Sequence, residues 1–301
     1  MNRLMWRLSG FVEILRVHNL FVSVMAFFLG FATAYTFVGS GKSLNYPSTL
    51  IPLVTVILVA AGGYVINDYY DAEIDSVNKP ARPIPSGRVS RGEALALSIA
   101  SILVGVATSL FVGPATFTYA AFNALLVVAY SKRLKKEGLV GNLVVSIVSA
   151  NSIVFGGLSL SEIYGNIALA TYSLIPATYA FTFTLMREVI KGVEDVVGDS
   201  RMGVKTLAVT RGVKYASKVS LVLMVFIIMF SPYPYLSGMY GFPYLTLVVV
   251  TDALLIYSIV KLVKANSDVD VVRVSSSLRS YTKVAMFTGI LAFLVDLLMR
   301  M

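Results

Sequence analysis

Residues 67–75 read Asn67-Asp68-Tyr69-Tyr70-Asp71-Ala72-Glu73-Ile74-Asp75, and they follow directly on residues 50–66, which contain no charged side chain. A second acidic stretch, Glu194-Asp195-Val196-Val197-Gly198-Asp199, continues out of another long apolar segment in the same way. Acidic side chains at the ends of membrane helices are costly to keep unless they hold a cation. The two stretches therefore predict apolar helices with a cation site at their ends.

The composition supports a membrane fold. Of the 301 residues, 57% are hydrophobic and 14% are charged, and the mean hydropathy of +0.79 is too high for a typical soluble protein. A spanning helix needs about 20 apolar residues, so the two longest charge-free runs, 94–131 and 219–251, must each hold two helices. Gly113-Pro114 and the proline-rich segment 231–243 interrupt these runs where a break is required.

We therefore predict an all-α integral membrane protein, with a single transmembrane domain over residues 1–301 and nine transmembrane helices in one bundle. The predicted helices are 8–38, 48–70, 91–112, 115–131, 139–158, 164–190, 213–230, 243–264 and 280–299. Helices two and six both end in aspartates followed by a basic, glycine-containing loop. This offset suggests a duplicated unit of about four helices, a pattern that some membrane proteins use.

The distribution of Lys and Arg predicts the orientation. With a cytoplasmic N-terminus, nearly all basic residues fall in cytoplasmic loops, and the external side keeps only Lys42 and Arg300. We therefore expect a multi-pass protein of the cell membrane, in contact with membrane lipids, whose two acidic stretches face the cytoplasm. The net charge of +9 follows from this loop bias and gives no indication of a nucleic-acid partner. The chain has no cysteine, which excludes thiol chemistry and cysteine-ligated metals.

The spacing of the acidic residues predicts the kind of cation. Asp68, Asp71 and Asp75 stand at i, i+3 and i+7, which is one face of a helix, and Asp195 and Asp199 are one turn apart. Hard oxygen ligands without His or Cys select Mg²⁺ or Ca²⁺. Mg²⁺ is often held by one or two carboxylates together with substrate phosphate oxygens. Two such clusters facing each other would hold ions bridged by a pyrophosphate.

Basic residues near both clusters are suited to an anion. The proline-stiffened loop after the first motif presents Lys79, Arg82 and Arg88, and Lys191 lies one turn before Asp195. Arginine binds phosphate through two parallel hydrogen bonds. The alternative interpretation is structural, because Lys191 and the second motif also fit a solvated, salt-bridged helix face, and the proline loop also fits a rigid connector.

These residues resemble the UbiA superfamily of intramembrane prenyltransferases, whose members share an N-D-x-x-D-x-x-x-D motif and a later D-x-x-x-D motif in a nine-helix bundle. In this chain the motifs are residues 67–75 and 195–199. Residues 67–90, 130–142 and 187–207 are most similar to the archaeal geranylgeranylglyceryl phosphate geranylgeranyltransferases, also called digeranylgeranylglyceryl phosphate synthases. Gly192 departs from this pattern, because many such sequences carry an acid there.

The resemblance implies a catalytic role for the five motif aspartates: they would hold Mg²⁺ on the diphosphate of a polyprenyl donor, with Asn67 and Arg82 assisting. It also implies ionisation of the allylic C–O bond, and the ring of Tyr130 is a candidate to stabilise the cation. The acceptor would be the free hydroxyl of geranylgeranylglyceryl phosphate, an anion that needs its own cations. The candidate substrate-binding residues are Asn67, Lys79, Arg82, Arg88, Tyr130, Lys132, Lys135, Lys191, Arg16 and Asn19.

Two alternatives stay open from the sequence. An aromatic acceptor such as 4-hydroxybenzoate or another quinone or haem precursor would use the same donor site, because acceptor contacts are apolar and diffuse. A membrane transporter is the alternative from another class, but carriers place ionisable groups near the bilayer midplane, whereas these acids cluster at one interface. Asp252 and Asp296 lie in the outer part of the predicted bundle, and we do not include them in the site.

Overall fold

The computed structural model describes residues 3–38 and 46–300, with side chains from residue 49 onward in the second range. Lys42, which the orientation argument used, lies outside these residues. The described chain is all-helical, as predicted. Its α-helices are α1 (Arg3–Ile14), α2 (Val17–Tyr35), α3 (Tyr46–Asn78), α4 (Arg91–Ser109), α5 (Pro114–Lys132), α6 (Leu139–Ile163), α7 (Leu169–Tyr172), α8 (Leu174–Glu194), α9 (Val196–Arg201), α10 (Leu207–Arg211), α11 (Val213–Phe230), α12 (Tyr233–Leu236), α13 (Phe242–Val263) and α14 (Asp268–Arg300).

Within the described ranges, seven helical segments are long and apolar enough to cross a membrane. They are α1 with α2, α3, α4, α6, α11 with α12, α13 and α14. The helices α5 and α8 fall at two further predicted spans but are not among the seven. In α8 the cause is the group Arg187, Glu188 and Lys191, which adds charge to its C-terminal half. The count of nine spans and the cytoplasmic N-terminus stay predictions.

Several helix boundaries differ from the prediction; α6, for example, ends at Ile163, and α8 begins only at Leu174. The predicted helix 8–38 is two helices, α1 and α2, separated at Arg16, whose backbone adopts the left-handed conformation (φ 49°, ψ 57°). The predicted helix 280–299 begins twelve residues earlier, at Asp268. Its early part is rich in serine and charged residues, which hydropathy does not recognise as part of a long apolar helix. Its first turn is capped by Ser267, whose hydroxyl accepts a hydrogen bond from the Asp270 amide at 3.1 Å.

The chain divides into two compact units, and a single transmembrane domain over residues 1–301 stays a prediction. The first unit comprises residues 1–133 and 151–174. Its helices pack closely through small residues: a Cβ added to Gly30 would lie 1.8 Å from the Ile153 carbonyl oxygen, and one added to Gly156 would lie 2.2 Å from that of Phe27. Glycine therefore permits the contact between α2 and α6. A core that includes Phe27, Phe31 and Phe155 fills the space beside it.

The second unit comprises residues 134–150 and 175–301. Its core is one cluster of buried apolar side chains from α8, α10, α11, α13 and α14, with Met186, Met224, Leu255 and Leu278 almost fully buried. Burial of such side chains contributes roughly 1.5–3 kcal/mol each when water is the alternative. This core fixes α8, which leads directly into the second acidic motif.

A carboxylate near the end of a neighbouring helix caps one helix start in each unit. In the first unit, Glu162 accepts hydrogen bonds from the Ala115 and Thr116 amides of α5, both at 2.8 Å, and from the Thr116 hydroxyl at 2.6 Å. These amides have no partner within the helix, so an anion there satisfies them and complements the helix dipole. A Cβ on the preceding Gly113 would lie 2.4 Å from the Glu162 carboxyl group. The cap therefore requires glycine at position 113.

The second unit repeats this arrangement at the start of α13. Asp296, which is 1% exposed, accepts a hydrogen bond from the Gly241 amide at 2.8 Å and one from the Tyr244 amide at 3.4 Å. Its other oxygen forms an ion pair with Arg300 at 2.8 Å. A Cβ on Gly241 would lie 3.0 Å from the Asp296 carboxylate. Asp296 is thus a structural cap at the start of α13.

Candidate active site

The first acidic motif lies within a continuous helix. α3 extends eight residues beyond the predicted end at residue 70 and includes Asp68, Asp71 and Asp75. The three carboxylates therefore share one helix face, as their spacing predicted. Asn67 donates a hydrogen bond from Nδ2 to Asp71 Oδ2 at 3.0 Å, one turn along the helix. The amide thus orients the middle carboxylate of the motif.

Two arginines neutralise the outer carboxylates of this motif. Asp68 and Asp75 are 6% and 5% exposed. Arg16 forms a very close ion pair with Asp68, Arg82 forms another with Asp75, and Arg82 NH1 also lies 3.4 Å from Asp68 Oδ1. Carboxylates this deeply buried require such compensation, because an unpaired buried charge is strongly destabilising.

Arg16 reaches Asp68 from the break between α1 and α2. It is the only described non-glycine residue with a positive φ. The left-handed conformation costs a non-glycine residue roughly 1–2 kcal/mol, and such strain persists only where the surrounding structure compensates for it. The ion pair with Asp68 provides that compensation. Sequence periodicity gave no signal of this contact, because the two residues are 52 positions apart.

One arginine of the basic loop after α3 makes contacts that stabilise the conformation of the loop. Arg88 forms an ion pair with Glu13 of α1 at 2.6 Å and donates to the Ala81 carbonyl oxygen at 2.5 Å and the Ser86 hydroxyl at 3.1 Å. These contacts give Arg88 a structural role in this conformation, and its predicted phosphate contact stays a prediction. Lys79, at the start of the loop, is exposed to solvent.

The second acidic motif follows the C-terminal end of α8. Asp195 precedes α9, Asp199 lies inside it, and both are half-buried. Backbone hydrogen bonds from Asp195 to Lys191 and from Asp199 to Asp195, both 2.9 Å, continue the helical pattern. Burial raises the pKa of Asp199, and the neighbouring Asp195 carboxylate adds to this, while Lys191 opposes it. Because like charges stand one turn apart here, a bound cation would stabilise the ionised pair.

The remaining predicted residues differ in exposure. Asn19 is half-buried in α2, and its backbone carbonyl oxygen accepts a hydrogen bond from the Ser23 hydroxyl at 3.2 Å. Tyr130 is half-buried near the end of α5, and Lys132 is exposed two residues later. Lys135 lies half-buried in a short 3₁₀ turn, Leu134–Lys136. Their predicted roles in binding substrate stay predictions.

The donor set of the first motif fits Mg²⁺ in its chemistry. It offers only hard oxygen ligands, three carboxylates and one amide, as Mg²⁺ prefers. Over residues 3–38 and 46–300, no three His, Asp or Glu side chains are grouped in the way that holds a metal ion. In the first motif the Arg16 and Arg82 guanidiniums already provide positive charge to Asp68 and Asp75. A metal at this motif would take over charge compensation from these two arginines.

A cavity beside the second motif includes a residue that sequence reasoning missed. Lys191 lines it together with Arg187 of the same helix and Arg279 of α14. Arg279 is 88 positions from Lys191 and sits in the early part of α14, which the prediction had assigned to a loop. Only the fold brings these cations together.

Comparisons with known proteins agree with this fold. Residues 22–281 match the UbiA prenyltransferase family. The chain is 43% identical over 296 residues to the digeranylgeranylglyceryl phosphate synthase of Hyperthermus butylicus, with 97% of each chain covered. A solved structure concerned with a digeranylgeranylglyceryl phosphate synthase in membranes superposes with a TM-score of 0.79 at 29% identity, covering 97% of this chain and 99% of that one. A UbiA homologue from Archaeoglobus fulgidus, solved with DMAPP and Mg²⁺, shares the fold with a TM-score of 0.59 at 18% identity, covering 92% of this chain and 99% of that one.

Proposed function

This chain belongs to the UbiA prenyltransferase family, and on this premise we propose that it transfers a geranylgeranyl group from its diphosphate to the free hydroxyl of geranylgeranylglyceryl phosphate. The observation that carries the proposal is the 43% identity to a digeranylgeranylglyceryl phosphate synthase along 97% of both chains. Donor, acceptor and membrane lipids are then the partners of this enzyme. The product would be a membrane ether lipid with two prenyl chains.

We assign Asp68, Asp71, Asp75, Asp195 and Asp199 as the carboxylates that hold Mg²⁺ and, through it, the donor diphosphate. The oxygen-only donor set supports this assignment, and the homologue solved with DMAPP and Mg²⁺ shares the fold. When bound, the metal supplies positive charge to the departing diphosphate. Asn67 keeps Asp71 oriented through its 3.0 Å hydrogen bond.

Arg82 is placed to act on the same leaving group. Its guanidinium contacts both Asp68 and Asp75, so a cation at these carboxylates would release it for the diphosphate. Arginine pairs with phosphate oxygens bidentately, and such charge-assisted hydrogen bonds are strong. Arg82 would therefore stabilise the negative charge that develops as the allylic C–O bond breaks and the diphosphate leaves with the bonding electrons.

The acceptor oxygen then forms the new ether bond to the allylic carbon and loses its proton. The intermediate carbocation reacts readily with water, so a chamber walled by apolar helices serves the reaction by excluding solvent. Tyr130, half-buried at the end of α5, is our candidate for a cation–π contact, which is worth about 0.5–2 kcal/mol. Lys132, Lys135 and Arg16 are our candidates for contacts to the acceptor.

We propose further that the protein crosses the cell membrane nine times, with its N-terminus and both acidic motifs on the cytoplasmic side. The seven apolar helical segments support a multi-pass protein. The Lys and Arg distribution supports this direction of insertion. The charged diphosphate of a donor on the cytoplasmic side would then reach the acidic motifs without crossing the bilayer.

A substrate matrix tests the proposal. Purified protein with Mg²⁺ and labelled geranylgeranyl diphosphate is offered geranylgeranylglyceryl phosphate or 4-hydroxybenzoate, and the products are separated and quantified. We expect transfer to the glyceryl phosphate. Transfer only to the aromatic acceptor would replace the proposed acceptor, and the absence of any prenylated product would contradict the enzymatic assignment.

A further inference from the structure

A basic cavity between α8 and α14 is not used by the mechanism described above. It is lined by Arg187, Glu188, Lys191, Arg279 and Thr282, all in the second unit. Its volume is about 140 Å³, roughly ten times the space that one water molecule needs. Three cations and a single acid among the lining residues give it a net positive charge.

Two of the three cations have acidic neighbours. Lys191 lies 4.0 Å from Glu188, and Arg279 lies 3.3 Å from Glu194. Both cations are about half-exposed, at 50% and 53% of their side chains, so these pairs are weak and readily rearranged. They leave both cations available to an anion.

Arg187 also has the Glu188 carboxylate near its charge, but it is half-buried and its guanidinium is poorly satisfied by hydrogen bonds. Its Nε is buried and has no hydrogen-bond partner among the described residues. Its NH1 donates a weak hydrogen bond to the thioether sulfur of Met286, at 3.6 Å. An arginine has five donors, and a buried donor without an acceptor costs about 1–3 kcal/mol. An acceptor-rich anion in the cavity would satisfy these donors.

The cavity lies on the same helical track as the second acidic motif. Lys191 and Arg187 precede Asp195 by four and eight residues, and the helical hydrogen bonds continue through Asp195 to Asp199. At 1.5 Å per residue, the two cations are about 6 and 12 Å from Asp195 along the axis. A phosphate in the cavity would therefore sit one to two helical turns from Asp195, one of the carboxylates assigned to the donor diphosphate.

We propose that this cavity binds the phosphate monoester of the lipid acceptor. The inference rests on the proposed function, in which two anionic groups must occupy one active site. The donor diphosphate has the metal-binding carboxylates, whereas a second phosphate would be repelled by those carboxylates and needs cations of its own. Arg187, Lys191 and Arg279 provide three of them at a distance that separates the two anions.

The test compares the acceptor with and without its phosphate. Arg187→Met removes the charge and leaves an apolar side chain beside Met286. We expect the preference in kcat/KM for the phosphorylated acceptor to fall roughly 10- to 100-fold, because one charge-assisted hydrogen bond is lost. The KM of the donor should be unchanged. Arg279→Gln should lower the same preference, and it provides a second variant at an exposed position where folding is not at risk.

Arg273→Gln is the matched control. Arg273 is an exposed arginine on the same helix and is not among the cavity residues, so this variant should keep the wild-type preference. Equal losses with both acceptors would show a structural role for Arg187, and a raised donor KM would assign the cavity to the donor diphosphate. A preference that changes only when anionic lipid is added to the bilayer would assign it to membrane headgroups. Each of these three results overturns the proposal.

Direct binding separates this inference from the proposed function. Thermal unfolding of the protein without donor is measured with geranylgeranylglyceryl phosphate and with its dephosphorylated form. We expect the phosphorylated lipid alone to raise the Tm of wild type and to have little effect on Arg187→Met. If wild type binds in this way but makes no product, only the proposed function fails. If the two lipids stabilise wild type and Arg187→Met equally, the phosphate site is refuted.

Discussion

Replacing Arg16 with methionine removes one of the two guanidiniums that neutralise Asp68. The Asp68 side chain is 7% exposed and that of Arg16 is 24% exposed. Loss of one partner from a buried ion pair costs about 3–5 kcal/mol. Because Arg82 still lies 3.4 Å from Asp68, we expect a smaller loss, about 2–3 kcal/mol.

The assay is thermal unfolding of the purified protein in EDTA and in Mg²⁺. In EDTA, Arg16→Met should lower the Tm by roughly 5–10 °C. Mg²⁺ should raise the Tm of this variant more than that of wild type, because a ligand that binds the folded state stabilises it, and the variant has no Arg16 to displace from Asp68. The difference between the two Mg²⁺ responses reports on the exchange of arginine for metal.

Two further variants separate charge from backbone strain. Arg16→Gly also removes the ion pair, but glycine adopts the left-handed conformation freely, so it should be about 1 kcal/mol more stable than Arg16→Met. Arg7→Met is the matched control, because Arg7 pairs with Glu93 while their side chains are 44% and 39% exposed. A surface pair of this kind contributes about 0–1 kcal/mol.

A double-mutant cycle gives the result that would refute this reasoning. If Arg16 and Asp68 stabilise each other, the losses from Arg16→Met and Asp68→Asn should not add in the double variant. Strict additivity, together with equal Mg²⁺ responses of Arg16→Met and wild type, would show that the arginine neither stabilises Asp68 nor competes with a metal there.

Three other outcomes follow from the site and the fold. Asp71→Ala or Asp199→Ala should lower prenyl transfer about 100-fold or more, while the protein still inserts into membranes. The control Asp268→Ala, at an exposed position of α14, should retain activity. Near-normal turnover in either motif variant would contradict the shared-metal assignment. Chelation by EDTA should stop transfer and added Mg²⁺ should restore it, so turnover that survives exhaustive chelation would exclude the metal. Glu162→Gln and Asp296→Asn should each lower stability by about 1–2 kcal/mol, measured as the Tm, and an unchanged Tm would show that these caps contribute little.

The long apolar helices and the acidic motif on one helix face could be predicted because both depend on local sequence. Hydropathy over some twenty residues identifies a helix, and a spacing of three, four and seven places Asp68, Asp71 and Asp75 on one side. Dependence on local hydropathy also explains why the extension of α3 to Asn78 was not predicted: the last residues of the helix are polar, so hydropathy no longer indicates a membrane helix there. The local sequence pattern therefore predicts that a helix exists more reliably than it predicts where the helix ends.

The contacts that shape the site could not be read from the sequence because they join distant residues. In the structure Arg16 pairs with Asp68, and the helix break that permits this contact has no glycine or proline to mark it. Arg279 joins Arg187 in one cavity only after α8 and α14 pack together. The sequence showed the charge of each residue and the helix that carries it, but which residues pair with each other depends on the tertiary fold.

The two carboxylate caps are spaced along the chain like the two acidic motifs. Gly113 and Gly241, which begin the capped helices, are 128 residues apart, as are Asp71 and Asp199 of the two acidic motifs. Duplication and fusion of an ancestral four-helix gene would leave this common period in both a structural and a chemical feature. The two caps differ in their acid, with Glu162 in one and Asp296 paired to Arg300 in the other. Each cap is therefore a natural control for the other, and we expect equivalent substitutions at the two caps to change stability in the same direction.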